Sequence, residues 1–240
     1  MITSNDNEKL KLVRKLADRK HREREGLFLT EGEDLLRAGL DAGRDPAFVL
    51  VAAESGLEGT EVEPELLAAN SGLGSGTRAI AAWPQLWGSP AGPVCVYLHG
   101  VGDPGNIGSV IRTAHGLVDG GVVLGPGCAD PHSPKAVRAT MGSIFGVPLA
   151  RADVGETPEP RVALVAHGGE APALAPPPLT VCFGAEREGL PADVLDACGS
   201  RWTIPLRPGG AESLNVATAA AIALQGISSA AFEMRSEPNA

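Results

Sequence analysis

The chain has 240 residues, 43% hydrophobic and only 4% aromatic, which suits one large or two small cored domains. A single Tyr and a formal net charge of −9 argue against a nucleic-acid grip built on base stacking or on nonspecific capture of phosphate. Four scattered cysteines (Cys95, Cys128, Cys182, Cys198), without C-x-x-C spacing or interleaved His, give neither a zinc site nor a disulfide framework, so no metal is expected.

The first long feature, residues 8–25, predicts a helix ended by Gly26. Leu10, Val13 and Leu16 supply a core-facing stripe, while Lys9, Lys11, Arg14, Lys15, Arg19, Lys20, Arg22 and Arg24 outnumber Asp18 and Glu23 elsewhere. Such a surface is either an ordinary solvated face or a place for phosphates, with Arg14, Lys15 and Arg19 the candidate contacts. Because this feature is charged, no secretory signal is expected. The most apolar late stretch, residues 216–224, is too short to span a bilayer, so the expectation is a soluble, cytoplasmic protein with no membrane partner.

A strand follows at 27–30, a helix at 32–42, a strand at 48–52, a helix at 63–69 and a weak strand at 77–82. This alternation predicts a small α/β layer domain. Gly88-Ser-Pro-Ala-Gly-Pro93 is the clearest punctuation in the chain and marks the joint between domains at 1–88 and 92–240. Beyond it, strands are expected at 94–98, 121–124, 161–166, 179–183 and 202–204, with helices at 107–117, 135–143, 192–197 and 214–228. The strands are apolar runs without alternation, as in a parallel sheet buried on both faces.

Three glycine-marked boxes lie in the second part. The first, LHGVGDPGNIGSVIRTAHG, holds Gly100, Gly102 and Gly105 in G-x-G-x-x-G spacing after a strand and before a helix. Alone it predicts a nicotinamide or flavin enzyme. Against that, Asn106 extends the turn past the third glycine, and the next strand ends at Leu124 and Gly125 with no carboxylate for a ribose. Downstream, Ser133 suits a helix cap, Pro134 the first helical position, and Arg138 projects from the same helix. The second box is Phe183-Gly-Ala-Glu186-Arg-Glu-Gly189, and the third couples Ile204-Pro-Leu206 to Ser213-Leu-Asn215-Val across a Gly-rich loop, with Ser213 in the place of a helix cap.

In this order, residues 98–226 resemble the SpoU (TrmH-like) class of the SPOUT superfamily, S-adenosylmethionine-dependent RNA ribose 2′-O-methyltransferases. Lys11-Leu-Val-Arg-Lys-Leu16 with Gly26-Leu-Phe-Leu-Thr-Glu31-Gly32 looks, more loosely, like the ribosomal-protein-like α/β domain that precedes the catalytic domain in rRNA-modifying members. The resemblance implies an α/β fold whose C-terminal parallel sheet carries a deep trefoil knot, and a homodimer. It also implies S-adenosylmethionine held around Gly184, Ile204, Leu206 and Leu214, and an RNA substrate, ribosomal before transfer RNA. Asn106, Arg112, Glu186, Ser213 and Asn215 fall on the active-site positions, and Arg138 on an arginine that grips RNA phosphate. A guanidinium stays protonated in proteins, so Arg112 is read as a stabiliser of developing negative charge and a phosphate clamp. What removes the 2′-hydroxyl proton stays open. An inactive RNA-binding relative is the non-enzyme alternative, and the five intact active-site positions weigh against it.

Overall fold

The computed structural model describes residues 1–73, 76–172 and 177–236. They fall into two compact units: Met1–Leu86 with Asp130–Gly146, and Trp87–Ala129 with Val147–Ala240. The segment 130–146, grouped by sequence with the second domain, thus packs with the first.

In the first unit a four-stranded sheet has the order β1 (Leu27–Glu31), β4 (Ala79–Pro84), β2 (Phe48–Ala52), β3 (Thr60–Val62). Only β2 and β3 run parallel. Leu10, Val13 and Leu16 of α1 (Glu8–Leu16) pack on Leu29, Leu50, Val62 and Ile80, as their helical spacing requires. The expected single helix over 8–25 is in fact two, α1 and α2 (Arg19–Glu25), the second stopped by Gly26 at φ 64°.

The reason for the break is Arg22. Its Nη1 donates to the carbonyls of Leu16 and Ala17, both at 2.8 Å, drawing these groups away from a continuous helical ladder. Asp18 then restarts the helix by accepting from the N–H of Lys20. Far from facing solvent, Arg22 is 3% exposed and pairs with Asp130, itself 6% exposed, through Nε at 2.9 Å and Nη2 at 2.7 Å. That pair ties the 130–146 segment, including α6 (Pro134–Thr140), to the helices at the start of the chain. The unit also holds α3 (Glu33–Asp41) and α4 (Pro64–Ala69).

The second unit is built on six parallel strands, ordered β10 (Ser200–Trp202), β8 (Arg161–Leu164), β9 (Leu179–Phe183), β5 (Val94–Leu98), β6 (Val122–Leu124), β7 (Leu149–Arg151). Residues of β5 and β9 are buried on both faces, as the unalternated apolar runs predict. From β5 the chain moves outward to β6 and β7, whereas β8, β9 and β10 lie on the other side. Strand order therefore reverses between β5 and β9, and β9 is shared by this switch point, where open α/β sheets commonly bind ligands, and by the neighbouring pair β8–β9. Helix α5 (Pro104–Leu117) packs against α8 (Val216–Ser236), and α7 (Ala192–Asp196) places Val194 on the sheet face lined by Cys95, Tyr97 and Cys182.

Removing one member of the Arg22–Asp130 pair strands a buried charge. Asp130→Asn is expected to lower the unfolding free energy by about 3–5 kcal/mol, while Arg22→Met with Asp130→Leu recovers most of it. Urea unfolding measures both. A loss under about 1 kcal/mol for the single variant would show that the pair does not anchor the segment.

Candidate active site

The three boxes meet through one amide. Asn106, in the first turn of α5, donates from Nδ2 to Oε1 of Glu186 and accepts at Oδ1 from Nδ2 of Asn215 at 3.1 Å. Asn215 accepts at its own Oδ1 from the backbone N–H of Ala217 at 2.9 Å and of Thr218 at 3.4 Å. Each amide orientation follows from its neighbour: the cap claims the Asn215 oxygen, which turns its NH₂ to Asn106 and leaves the Asn106 NH₂ for the carboxylate. Asn215 is therefore the cap of α8, two residues after the expected Ser213, which is exposed in the preceding loop.

Helix α5 also starts sooner than the sequence implies. It opens at Pro104, so Gly105 and Asn106 sit in its first turn and not in an extended loop. The G-x-G-x-x-G run nonetheless offers no place for a pyrophosphate. Asp103 Oδ1 accepts from the N–H of Gly105 at 2.7 Å and of Asn106 at 3.1 Å, occupying the donors a dinucleotide needs with a like charge. β6 ends at Leu124, with no acidic residue following at Gly125.

A cavity of about 420 Å³ opens at the C-terminal ends of β8 and β9. Gly184, Ile204, Leu206 and Leu214 all line it, with Glu186 and Ser213. The loop after β9 closes on itself: Ala185 and Gly189 exchange backbone hydrogen bonds at 3.2 and 3.0 Å. A Cβ on Gly184 would lie 2.2 Å from the Gly189 carbonyl carbon, so only glycine fits. The wall here is main chain and half-buried aliphatic side chains, a surface for an apolar ring system ringed by backbone donors and acceptors. Arg112 stands six residues past Asn106, about 9 Å along the α5 axis, exposed and without a hydrogen bond or ion pair to a described residue.

The sequence profile of the SpoU rRNA Methylase family matches residues 93–225, and that of the MRM3-like substrate binding domain matches residues 7–73. The chain is 30% identical to the 23S rRNA (guanosine(2553)-2′-O)-methyltransferase RlmP of Bacillus subtilis, over 92% of this chain and 96% of that protein. An uncharacterized tRNA/rRNA methyltransferase of Synechocystis is also 30% identical, covering 93% of this chain and 91% of its own. The AdoMet-bound rRNA methyltransferase from Sinorhizobium meliloti superposes with a TM-score of 0.82 at 27% identity, covering 94% of this chain and 96% of the other. The chain belongs to the SpoU rRNA methylase family.

Sequence reasoning missed one wall of this SpoU cavity. Leu164 at the end of β8 and residues 165–167 just after it line this wall, with His167 exposed. The signal was available in principle, because β8 ends at the same sheet edge as β9, but only the strand order reveals that they are neighbours. Ala219 of α8 also lines the cavity and carries no chemical signature of its own.

The remaining predicted residues belong to the first unit and differ in availability. Arg14 is committed to Asn5 at 2.5 and 2.9 Å and to Asn70 at 2.6 Å, and Arg19 to Glu23 at 2.9 Å. Lys15 is exposed and makes no hydrogen bond or ion pair to a described residue. It lines a shallow groove with Lys11, Arg14, Asp18 and His21. Arg138 lies 3.9 Å from Glu31, whose other oxygen accepts from the N–H of Gly72 at 2.8 Å.

The closeness of the Gly184 turn sets a test. Gly184→Ala forces the 184–190 loop open, and a cost of about 1–3 kcal/mol is expected from overpacking alone. A variant with unchanged thermal melting would mean the loop yields more readily than its double hydrogen bond implies.

Proposed function

We propose that the cavity holds S-adenosylmethionine and that the chain methylates a ribose 2′-hydroxyl in ribosomal RNA. The observation that carries this reading is the Asn215–Asn106–Glu186 chain, which joins all three boxes beside a pocket of about 420 Å³. That volume suits a nucleoside-sized ligand. The pocket's chemistry fits it too, with aliphatic Ile204, Leu206 and Leu214 for the adenine faces and the Gly184–Gly189 main chain for its polar edges. When bound, S-adenosylmethionine supplies an electrophilic methyl carbon.

The protein's own part is to place the hydroxyl in line and to stabilise charge developing on its oxygen. Arg112 has the free, exposed guanidinium for that second task and for an adjacent phosphate. Glu186 and Asn215 hold Asn106, and with it the first turn of α5, while Ser213 borders the pocket. Ribosomal RNA is favoured over transfer RNA by the substrate-binding profile over residues 7–73 and by RlmP as a full-length relative. Lys15 takes first place among the RNA contacts proposed for Arg14, Lys15, Arg19 and Arg138, because the other three already engage partners of their own. A cytoplasmic location and the trefoil knot of the family complete the proposal.

Calorimetric titration with S-adenosylmethionine and with NADH tests the cofactor: binding of the first alone is expected, and Leu214→Arg, which brings a charge into an apolar wall, abolishes it. Arg112→Ala should lower single-turnover methylation by about 100-fold or more with little change in cofactor affinity. Lys15→Gln should instead raise the KM for RNA and reduce the slope of its salt dependence by about one unit. The same change at Arg14 also lowers the melting temperature, since it cuts the ties to Asn5 and Asn70. Loss of the chemical step in Lys15→Gln but not in Arg112→Ala would refute this division of labour.

A homodimer belongs to the same proposal. Ala220 and Ala223 of α8 are buried within the chain, but Ile222 is 44% exposed and Gly226, one turn further on, has open space before it. An apolar side chain beside a small residue is the kind of pair that a second helix covers. Light scattering of the full chain should give a dimer, and Ile222→Asp a monomer; a monomeric, active wild type sinks the claim.

A further inference from the structure

The face of β9 that carries Cys182 holds a second piece of chemistry. Cys182 is fully buried one residue before Phe183 and two before Gly184. Cys198, between α7 and β10, is half-buried and packs on the same apolar cluster. Their Sγ atoms lie 3.7 Å apart, in van der Waals contact. Between them in sequence lie residues 183–197, which include the whole loop that presents Gly184 and Glu186 to the cavity.

The two thiols are not equivalent. The hydrogen bond between them, with the positive charge of Arg161 and Arg201, draws Cys198 below the ordinary thiol range, and the same contact together with burial pushes Cys182 up. Cys95, buried in the middle of β5, is pushed up to about 11 by burial. Nucleophilicity is thus concentrated on the sulfur that solvent reaches.

We propose that Cys182 and Cys198 are a redox pair, which a hydroperoxide oxidises to a disulfide that closes the 183–197 segment at its two ends. The Cys198 thiolate attacks one peroxide oxygen and breaks the O–O bond; the displaced oxygen leaves as an alcohol, or as water when the oxidant is hydrogen peroxide. Cys198 is then a sulfenic acid. The Cys182 sulfur attacks that sulfur, the S–O bond breaks, and the hydroxide departs with the Cys182 proton as water. The two thiols lose two protons and two electrons, and the peroxide gains them; the proton given up by Cys198 goes to the displaced oxygen and that of Cys182 to the departing hydroxide. Because a disulfide needs its sulfurs at about 2 Å, the two must close from their 3.7 Å contact, and the link then fixes both ends of the segment that carries the tightly folded loop.

The experiment uses the full reduced chain with hydrogen peroxide as the oxidant. Peptide mapping without reductant should recover Cys182 linked to Cys198, reversed by dithiothreitol. Hydrogen exchange of the 184–190 amides should slow by at least about tenfold in the oxidised form. Cys198→Ser should form no link while keeping its melting temperature. Should that variant fail to fold, the order of iodoacetamide labelling in the wild type decides instead, with Cys198 first and Cys95 last. A link from Cys182 to Cys95, accumulation of sulfinic acid at Cys198, unchanged exchange, or labelling of Cys95 ahead of Cys198 each overturns the proposal. Titration of the reduced chain with S-adenosylmethionine tests the functional reading separately, since none of these readouts depends on the cofactor.

Discussion

Short side chains can bridge two helices only if the helices are close, and the candidate site depends on that constraint. The Asn106–Asn215 hydrogen bond spans α5 and α8, and neither side chain extends past its second side-chain carbon. Gly108 and Ala114 on α5, with Ala220 and Ala223 on α8, are buried and small, as such an approach requires. Packing and polar geometry are therefore one device. α5 and α8 pack directly on each other, so a bulkier residue where they touch would strain the Asn106–Asn215 hydrogen bond and the amide that also serves Glu186.

Charge in the first unit is less available than the sequence suggests. Of the eight basic residues between positions 9 and 24, six are bound to the chain's own acceptors: Lys9 to Thr60, Lys11 to Glu8, Arg14 to Asn5 and Asn70, Arg19 to Glu23, Arg22 to Asp130, and Arg24 to Glu25. Lys15 and Lys20 make no hydrogen bond or ion pair to a described residue. With a net charge of −9 over the whole chain, the proposed RNA contact has a few placed cations to draw on and no broad positive field. The exposed pairs contribute little to stability; the buried Arg22–Asp130 pair is the exception, and it acts on the fold.

The sequence made most of the architecture legible, and its failures share one cause. β2, β5 and β9 appear within their expected bounds because a continuous apolar run has no other comfortable place than a strand. β3 and β7, three residues each, carry no such signal and exist through pairing with partners distant in sequence. The break at Ala17 is of the same kind: the local pattern is helical, and it is Arg22, held by a residue 108 positions away, that interrupts it. At the site, the boxes and their order were readable, but the helix cap passed from Ser213 to Asn215 because Asn215 answers both to its own helix and to Asn106. Local propensity was right wherever nothing long-range competed with it.

That competition also narrows what Asn106 does. Its carbonyl oxygen receives Asn215 and its NH₂ serves Glu186, so the amide is already committed on both sides before any substrate arrives. A residue so engaged holds its neighbours in register, and in the proposed reaction the groups with the most hydrogen-bonding capacity left are the ones offered to the ribose. Arg112 has that capacity in full, and Glu186 retains its second oxygen. The carboxylate is fixed by the same amide that fixes the turn bearing Arg112's helix, so the two unengaged groups are set against one frame. Their relative placement follows from three hydrogen-bonded side chains, Asn106 lying 80 residues from Glu186 and 109 from Asn215 in sequence.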